Sequence, residues 1–191
     1  MMARACVRAG LPLRHTEGFN PRPRLALPLP RPVGIASDAE RLVLELTEAV
    51  SPEKLAEQLA AHTPERITVH QARMLGPLER CIPTLVRYQV VTGRLDRETL
   101  AAAVTRLTQD QAIPYDRYIH KRDAITRVDL RPFVHSIEPG DGEVLFALRV
   151  VDGRSARPAE ICDLLGIGGQ NVNHRIRRLE ITWESGSPAT T

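Results

Sequence analysis

The chain is organised around residues 13–24, which read Leu13-Arg14-His15-Thr16-Glu17-Gly18-Phe19-Asn20-Pro21-Arg22-Pro23-Arg24. Each of the two prolines fixes its own φ, removes a backbone donor and pushes the residue before it toward an extended conformation. Gly18 allows a positive φ immediately before Phe19. We therefore expect this stretch, the basic loop, to be stiff and ordered.

The basic loop combines cationic side chains with one aromatic ring, a composition that suits the recognition of a polyanion. Guanidinium groups bind phosphate in a planar, bidentate geometry, and an aromatic ring stacks on an unpaired base. A structural reading is equally open, with Phe19 as a core plug and the arginines solvated. The residues predicted to bind an anion or RNA are Arg14, His15, Phe19, Asn20, Arg22, Arg24, Arg175 and Arg177.

Charge is unevenly distributed, although the net charge is only +3. Residues 1–32 contain six arginines and one acidic residue, whereas residues 38–65 are acidic. Lys54 and Lys121 are the only lysines among 26 basic residues, which favours planar contacts to phosphate or carboxylate, although GC-rich coding would give the same bias. With 42% hydrophobic residues and no long apolar run, we expect a globular protein without a membrane span or cleavable signal.

The three cysteines, Cys6, Cys81 and Cys162, are far apart and show no zinc spacing. We expect reduced thiols in a cytoplasmic protein, with no metal site and no cofactor. A radical S-adenosylmethionine (SAM) enzyme is excluded by the sequence, because its iron–sulfur cluster needs three closely spaced cysteines.

The first half predicts alternating short helices and strands. Helices are expected over Met1–Gly10 and from the Ser51 N-cap to Pro64. Strands are expected at Leu25–Leu27, Arg41–Leu46 and Ile67–Ala72, with a turn over Gly34–Ser37. If one strand preceded Met1, this order would be the ferredoxin-like (split βαβ) unit.

The second half repeats the pattern with an additional hairpin. Helices are predicted after Asp96 and from Pro158 to Gly166. The predicted strands are Leu85–Thr92, Tyr115–His120, Thr126–Leu130, Val144–Val151 and Leu179–Trp183, with a charged turn at Lys121-Arg122-Asp123. The predicted fold is α+β with two ferredoxin-like halves, the first missing its first strand. The predicted boundaries are 1–75 and 84–184, separated by a linker at 76–83 and followed by a disordered tail at 185–191.

The Gly166 region allows two interpretations. Leu164–Val172 resembles a helix–hairpin–helix motif, in which a Gly-Ile-Gly turn binds phosphate, and Arg175, Arg177 and Arg178 follow it. The alternation over Leu179–Trp183 leaves no room for a full second helix, so we favour Gly166 as a helix C-cap.

Several segments resemble a radical SAM-associated domain family of unknown function. The resemblance covers nearly the whole chain and rests on Arg8–Pro12, Gly18–Arg24, Pro28–Pro30, Gly34, Ser37, Glu40, Val128–Phe133 and Arg157–Glu160. It implies a radical SAM protein as partner and no known activity. Members usually begin with a strand ahead of the first helix, which suggests an upstream start for this chain. They also often carry His where Arg22 stands, which makes a proton-transfer role at that position doubtful.

Three functional hypotheses remain. The first is a cytoplasmic, non-catalytic module that binds RNA and positions a substrate for a radical SAM partner. The second is a small metal-independent nuclease or hydrolase in which His15 acts with the loop arginines. The third is a protein–protein adaptor whose basic face meets an acidic partner.

Overall fold

The computed structural model describes residues 1–76, 79–93, 96–119, 123–169 and 171–184. These residues form an α+β protein with several sheets, in two compact units. The first unit comprises Met1–Pro28 and Arg41–Cys81, and the second comprises Leu29–Glu40 and Ile82–Glu184. The sequence-based division placed all of residues 1–75 in one half, whereas the second unit takes the segment Leu29–Glu40.

The first unit contains two helices and a two-stranded antiparallel sheet. Its elements are α1 (Met2–Arg8), β1 (Leu25–Ala26), β3 (Val43–Leu44) and α2 (Pro52–Ala60). Gly10 follows α1 with φ +65°, and Ser51 Oγ accepts the Lys54 backbone N–H at 3.3 Å, so both predicted helix ends are confirmed. Ala5, Cys6, Leu11, Leu13 and Leu59 are the centre of its core.

The second unit is built on a five-stranded sheet. Its strands are β2 (Ala36–Ser37), β4 (Ile82–Val91), β7 (Val134–Pro139), β8 (Glu143–Arg149) and β9 (Ile176–Glu184). They lie side by side in the order β2-β9-β4-β8-β7. The second unit also contains helices α3 (Arg97–Gln109) and α4 (Pro158–Leu164). Strands β5 (Pro114–Ile119) and β6 (Ala124–Asp129) form a separate antiparallel hairpin. All pairings in the main sheet are antiparallel except β2 with β9.

Three sequence predictions need correction. Ile67–Ala72 is not assigned as a strand, because the described residues offer it no pairing partner. The predicted turn at Gly34–Ser37 ends in β2, which pairs with a strand far away in sequence. Strand β7 was missed because a 3₁₀ turn at Arg131–Phe133 precedes it and Pro139 ends it, which obscures the alternation.

Other predictions lie partly outside the described residues. The tail at 185–191 and the Lys121-Arg122 part of the hairpin turn are outside them, as are residues 77–78 of the predicted linker. Ile82 and Pro83 of that linker belong to β4.

The segment Leu29–Glu40 is held in the second unit by one buried arginine. Arg178 is 1% exposed, and its Nη1 donates to Glu40 Oε1 at 2.9 Å and to the Leu29 carbonyl at 3.1 Å. Its guanidinium lies 5.8 Å from the centre of the Tyr88 ring, which stacks on Phe146. The Asp38 backbone N–H also donates to the Arg178 carbonyl at 3.0 Å. Arg178 therefore joins the segment to β9 and to the core.

We predict that Arg178→Ala destabilises the second unit by about 3 kcal/mol, because it leaves the Leu29 and Pro30 carbonyls and the partly buried Glu40 carboxylate without their donor. The neighbouring Arg177→Ala is the matched control, since Arg177 and Asp38 form a half-exposed ion pair (50% and 51%) and its loss is expected to cost less than about 1 kcal/mol. Urea unfolding followed by the fluorescence of Trp183, the single tryptophan, measures both. Equal effects of the two substitutions would contradict the prediction.

The three thiols are predicted to differ in reactivity. Cys6 and Cys162 are buried, and burial raises the pKa of both thiols, that of Cys162 to about 12. Because the thiolate is the nucleophile, we expect iodoacetamide to alkylate Cys81, which is half-buried, well before the other two in the native chain. Mass spectrometry of the labelled peptides at mildly alkaline pH, with urea-unfolded chain as the fully reactive control, tests this order.

Candidate nucleic-acid interface

The basic loop is closed on itself by hydrogen bonds between its two arms. The Thr16 backbone N–H donates to the Arg22 carbonyl at 2.8 Å, and the Arg22 N–H donates to Thr16 Oγ1 at 3.0 Å. His15 and Pro23 form an antiparallel bridge next to this pair. The residues between Thr16 and Arg22 are therefore held as a closed loop, which is ordered as the prolines and glycine predicted.

The base of the basic loop is anchored in the first unit. Leu13 is 6% exposed and bridges Leu46. The Arg14 N–H donates to the Glu45 carbonyl at 2.8 Å, and the Arg24 N–H donates to the Arg14 carbonyl at 2.7 Å. Core packing and backbone hydrogen bonds therefore fix the lower part of the loop, which carries the tip.

Phe19 lies at the tip and is fully exposed, with a relative accessibility of 105%. Gly18 precedes it with φ +113°, a conformation that L side chains rarely adopt. The alternative interpretation of Phe19 as a core plug is therefore wrong. Single exposed apolar side chains are common on protein surfaces, and Phe19 at the tip of this closed loop is accessible to a ligand or partner.

The predicted cations of the basic loop differ in their surroundings. Arg24 Nη1 pairs with Glu45 Oε2 at 3.2 Å, so a carboxylate already neutralises part of its charge. Arg14 and Arg22 are exposed, and no side-chain hydrogen bond or ion pair holds either guanidinium among the described residues. These two arginines are therefore the cations available to an external anion, with Asn20 exposed beside Phe19.

The His15 ring is oriented by its own backbone. Its Nδ1 lies 2.9 Å from the Leu13 carbonyl oxygen, so Nδ1 carries the proton and donates it. Nε2 is then the free lone pair of an exposed imidazole. Such a ring can accept a hydrogen bond from a nucleotide.

Arg175 and Arg177 belong to the second unit, whereas the basic loop belongs to the first. Arg175 donates from Nε at 2.9 Å and from Nη2 at 2.5 Å to the Val91 carbonyl. Arg177 pairs with Asp38 at 2.7 Å. Both side chains thus have partners within their own unit, and Arg178, which the sequence grouped with them, is buried.

The Gly166 region is a helix C-cap, as favoured from the sequence. Gly166 has φ +74°, its N–H donates to the Asp163 carbonyl at 3.0 Å, and the Ile167 N–H donates to the Cys162 carbonyl at 2.8 Å. These two bonds are the Schellman pattern. Residues 172–175 then form a 3₁₀ turn leading into β9, rather than a second helix of a phosphate-binding hairpin.

Sequence reasoning missed a buried ion pair in the second unit. Arg117 donates from Nε and Nη2 to both carboxylate oxygens of Glu160, at 2.6 and 2.7 Å. The Glu160 side chain is 5% exposed, and Glu160 also accepts the Arg157 backbone N–H at 2.9 Å. The signal in the sequence was weak: an arginine on the inward face of a predicted strand and a glutamate two residues after a helix-starting proline.

Part of the chain matches a protein-family model. Residues 1–158 match the model of DUF2344, described as an uncharacterized protein conserved in bacteria. The chain belongs to this family. The DUF2344 match includes the basic loop and the Arg117 region, and it ends at the first residue of α4. No curated protein matches the chain.

Within the parts of this DUF2344 chain that the structure describes, no group of three or more His, Cys, Asp or Glu side chains could hold a metal ion. None of the helices found there has the length and apolarity required to cross a bilayer.

Because Phe19 makes no core contact, we predict that Phe19→Ala changes the free energy of unfolding by less than about 0.5 kcal/mol. Leu13→Ala, in the same loop but 6% exposed, is expected to cost about 2–5 kcal/mol through the cavity it leaves. Chemical denaturation followed by far-ultraviolet circular dichroism compares the two. A destabilisation by Phe19→Ala as large as that by Leu13→Ala would contradict the exposed placement of Phe19.

Proposed function

We propose that this protein is a cytoplasmic, non-catalytic module that binds single-stranded RNA through the basic loop and positions it for a radical SAM partner. The observation that carries the proposal is the fully exposed Phe19 at the tip of a closed loop. An aromatic ring on such a loop can stack on an unpaired base of any identity. Arg14 and Arg22 are available to contact the flanking phosphates.

The partner in this proposal supplies the iron–sulfur chemistry. Iron binds cysteine as the thiolate. Burial raises the pKa of the Cys6 and Cys162 thiols, which disfavours their thiolate form. The chain's contribution is then recognition and placement of the substrate. The resemblance of the loop segments to a radical SAM-associated family supports this choice of partner.

The fold proposed for both units is ferredoxin-like. In the second unit, β4, α3, β7, β8, α4 and β9 follow the β-α-β-β-α-β order, and their strands lie in the order β9-β4-β8-β7. The hairpin of β5 and β6 is an insertion in this plan, and β2 is an added edge strand. In the first unit, α1, β1, β3 and α2 follow the α-β-β-α part of the same order, without its first and last strands.

The RNA proposal predicts different effects for the ring and for the guanidinium groups. Phe19→Ala should weaken binding of a short single-stranded RNA by about 1–3 kcal/mol, without changing the dependence of log K on log salt. Arg14→Ala combined with Arg22→Ala should reduce that slope by about 1.4, because each phosphate contact to a single strand contributes about 0.7. Fluorescence anisotropy over a salt series measures both quantities.

Two controls make this test specific. Val7→Ala removes an exposed apolar side chain of the first unit, and Arg4→Ala combined with Arg66→Ala removes two exposed cations of the same unit. Neither should change affinity or slope by a comparable amount. The proposal fails if the wild-type chain shows no salt-dependent RNA affinity, or if the control variants weaken binding as much as the loop variants.

Two further measurements on the same RNA and variants distinguish the nuclease and adaptor hypotheses. RNA cleavage that is lost in His15→Ala would replace the proposal by a nuclease, in which the free Nε2 acts as the base. Affinity for an acidic peptide with none for RNA would replace it by a protein–protein adaptor.

A further inference from the structure

A cavity of about 450 Å³ lies in the second unit at the base of the β5–β6 hairpin. Its volume falls within the range of small-molecule sites, about 300–1,000 Å³. The residues that line it are Arg117, Val128, Asp129, Phe133, Arg154 and Ser155. It is formed within one unit and does not include the basic loop.

Arg117 is the preorganised cation of this cavity. Its Nε and Nη2 are fixed by the carboxylate of Glu160, and its side chain is 19% exposed. Only Nη1 is left without a partner in that pair, and Arg117 lines the cavity. An arginine whose rotamer is locked by a buried carboxylate binds an anion without the entropic cost of ordering a long side chain.

Arg154 supplies a second cation on a rigid turn. Asp152 and Gly153 both have positive φ (+50° and +71°), and Val151 and Arg154 exchange backbone hydrogen bonds at 2.8 and 2.9 Å. This is the conformation of a tight two-residue hairpin turn. The Arg154 side chain is exposed and has no ion-pair partner among the described residues, so its charge is available to a ligand.

The remaining wall combines two apolar side chains with the Asp129 carboxylate and the Ser155 hydroxyl. Phe133 and Val128 are half-buried and pack against the core of the unit, which fixes their positions. Asp129 Oδ1 accepts the backbone N–H groups of Ile113 and Arg131 at 2.8 and 2.9 Å, and these bonds lower the pKa of the carboxyl group. Oδ2 remains as an acceptor for a hydroxyl or amino group.

We propose that this cavity binds a nucleoside monophosphate, either free or as the 5′-phosphorylated end of an RNA. The phosphate contacts Arg154 and Nη1 of Arg117, the base packs on Phe133, and Asp129 accepts from the ribose or the base. Glu160 also pairs with Arg157, whose Nε lies 3.9 Å from Glu160 Oε1 and whose side chain is 58% exposed. Two cations, Arg117 and Arg157, therefore share the charge of Glu160.

Titration calorimetry of the full-length chain with adenosine monophosphate tests the site, with adenosine and inorganic phosphate as partial ligands. We expect the monophosphate to bind more tightly than either, and Arg154→Ala to weaken it at least about tenfold by removing a charged hydrogen bond. Phe133→Leu keeps an apolar side chain for the core but loses the ring. It should weaken the nucleotide and leave inorganic phosphate unaffected.

Arg127→Ala is the matched control, because Arg127 is exposed on the other face of the same hairpin, opposite Asp116. It should retain wild-type affinity, as should Arg14→Ala combined with Arg22→Ala, which separates this site from the basic loop. Equal binding of nucleotide and nucleoside, or equal weakening by Arg154→Ala and Arg127→Ala, overturns the proposal. A 5′-phosphorylated RNA that competes with the nucleotide, when its 5′-hydroxyl counterpart does not, identifies the RNA end as the source.

Discussion

The buried guanidinium of Arg178 is the interaction on which the arrangement of the second unit depends. It joins β9 to two other segments of the chain: Leu29–Glu40, through a glutamate and two backbone carbonyls, and β4, through an aromatic ring. Its Nε is buried without a hydrogen-bond partner, so the arrangement is retained at a cost in desolvation. A leucine at that position could pack on Tyr88 but could not hold the carbonyls of Leu29 and Pro30.

A β-bulge explains how an arginine comes to face the core. Along β9 the pairing with β4 shifts between Arg87 and Tyr88, so Glu180 pairs with Arg87 and Arg178 pairs with Tyr88. The extra residue, Leu179, interrupts the alternation of inward and outward side chains. Arg178 therefore takes the inward position that an uninterrupted strand would give to Leu179.

Most arginines whose side-chain bonds are described serve as internal cross-links. Arg106, Arg131, Arg149 and Arg175 donate to backbone carbonyls, and Arg24 and Arg177 pair with carboxylates. Arginine suits this use because its planar fork satisfies several acceptors at once. Arg14 and Arg22 on the basic loop and Arg154 at the cavity have no such partner among the described residues, and neither do the exposed Arg4, Arg66 and Arg127.

Local signals in the sequence predicted the parts of the fold that depend on near neighbours. Ser51, Asp96, Gly10 and Gly166 marked helix ends correctly, since caps and C-terminal glycines act within one turn. The stiffness of the basic loop was predicted for the same reason, because its prolines and glycine act on their own backbone, whereas its closure by Thr16 and Arg22 was not predicted.

Features that depend on distant partners could not be predicted in this way. Strand β2 exists because of β9, and Arg178 is buried because of a bulge. Arg24 is partly neutralised because Glu45 follows β3, the partner of β1. The cavity is another case, since Arg117, Asp129 and Arg154 come from separate elements. No local pattern in the sequence indicates that they converge.

The discontinuous second unit has a consequence for how the chain acquires its structure. The bonds from Arg178 to Glu40 and Leu29 span 138 and 149 positions, so the Leu29–Glu40 segment cannot dock until β9 has been synthesised. Synthesis proceeds from the N-terminus, and contacts of such long range form slowly because of the entropy of loop closure. During translation the segment therefore waits without its partner strand, and the apolar Ile35 remains uncovered until the last strand of the sheet arrives.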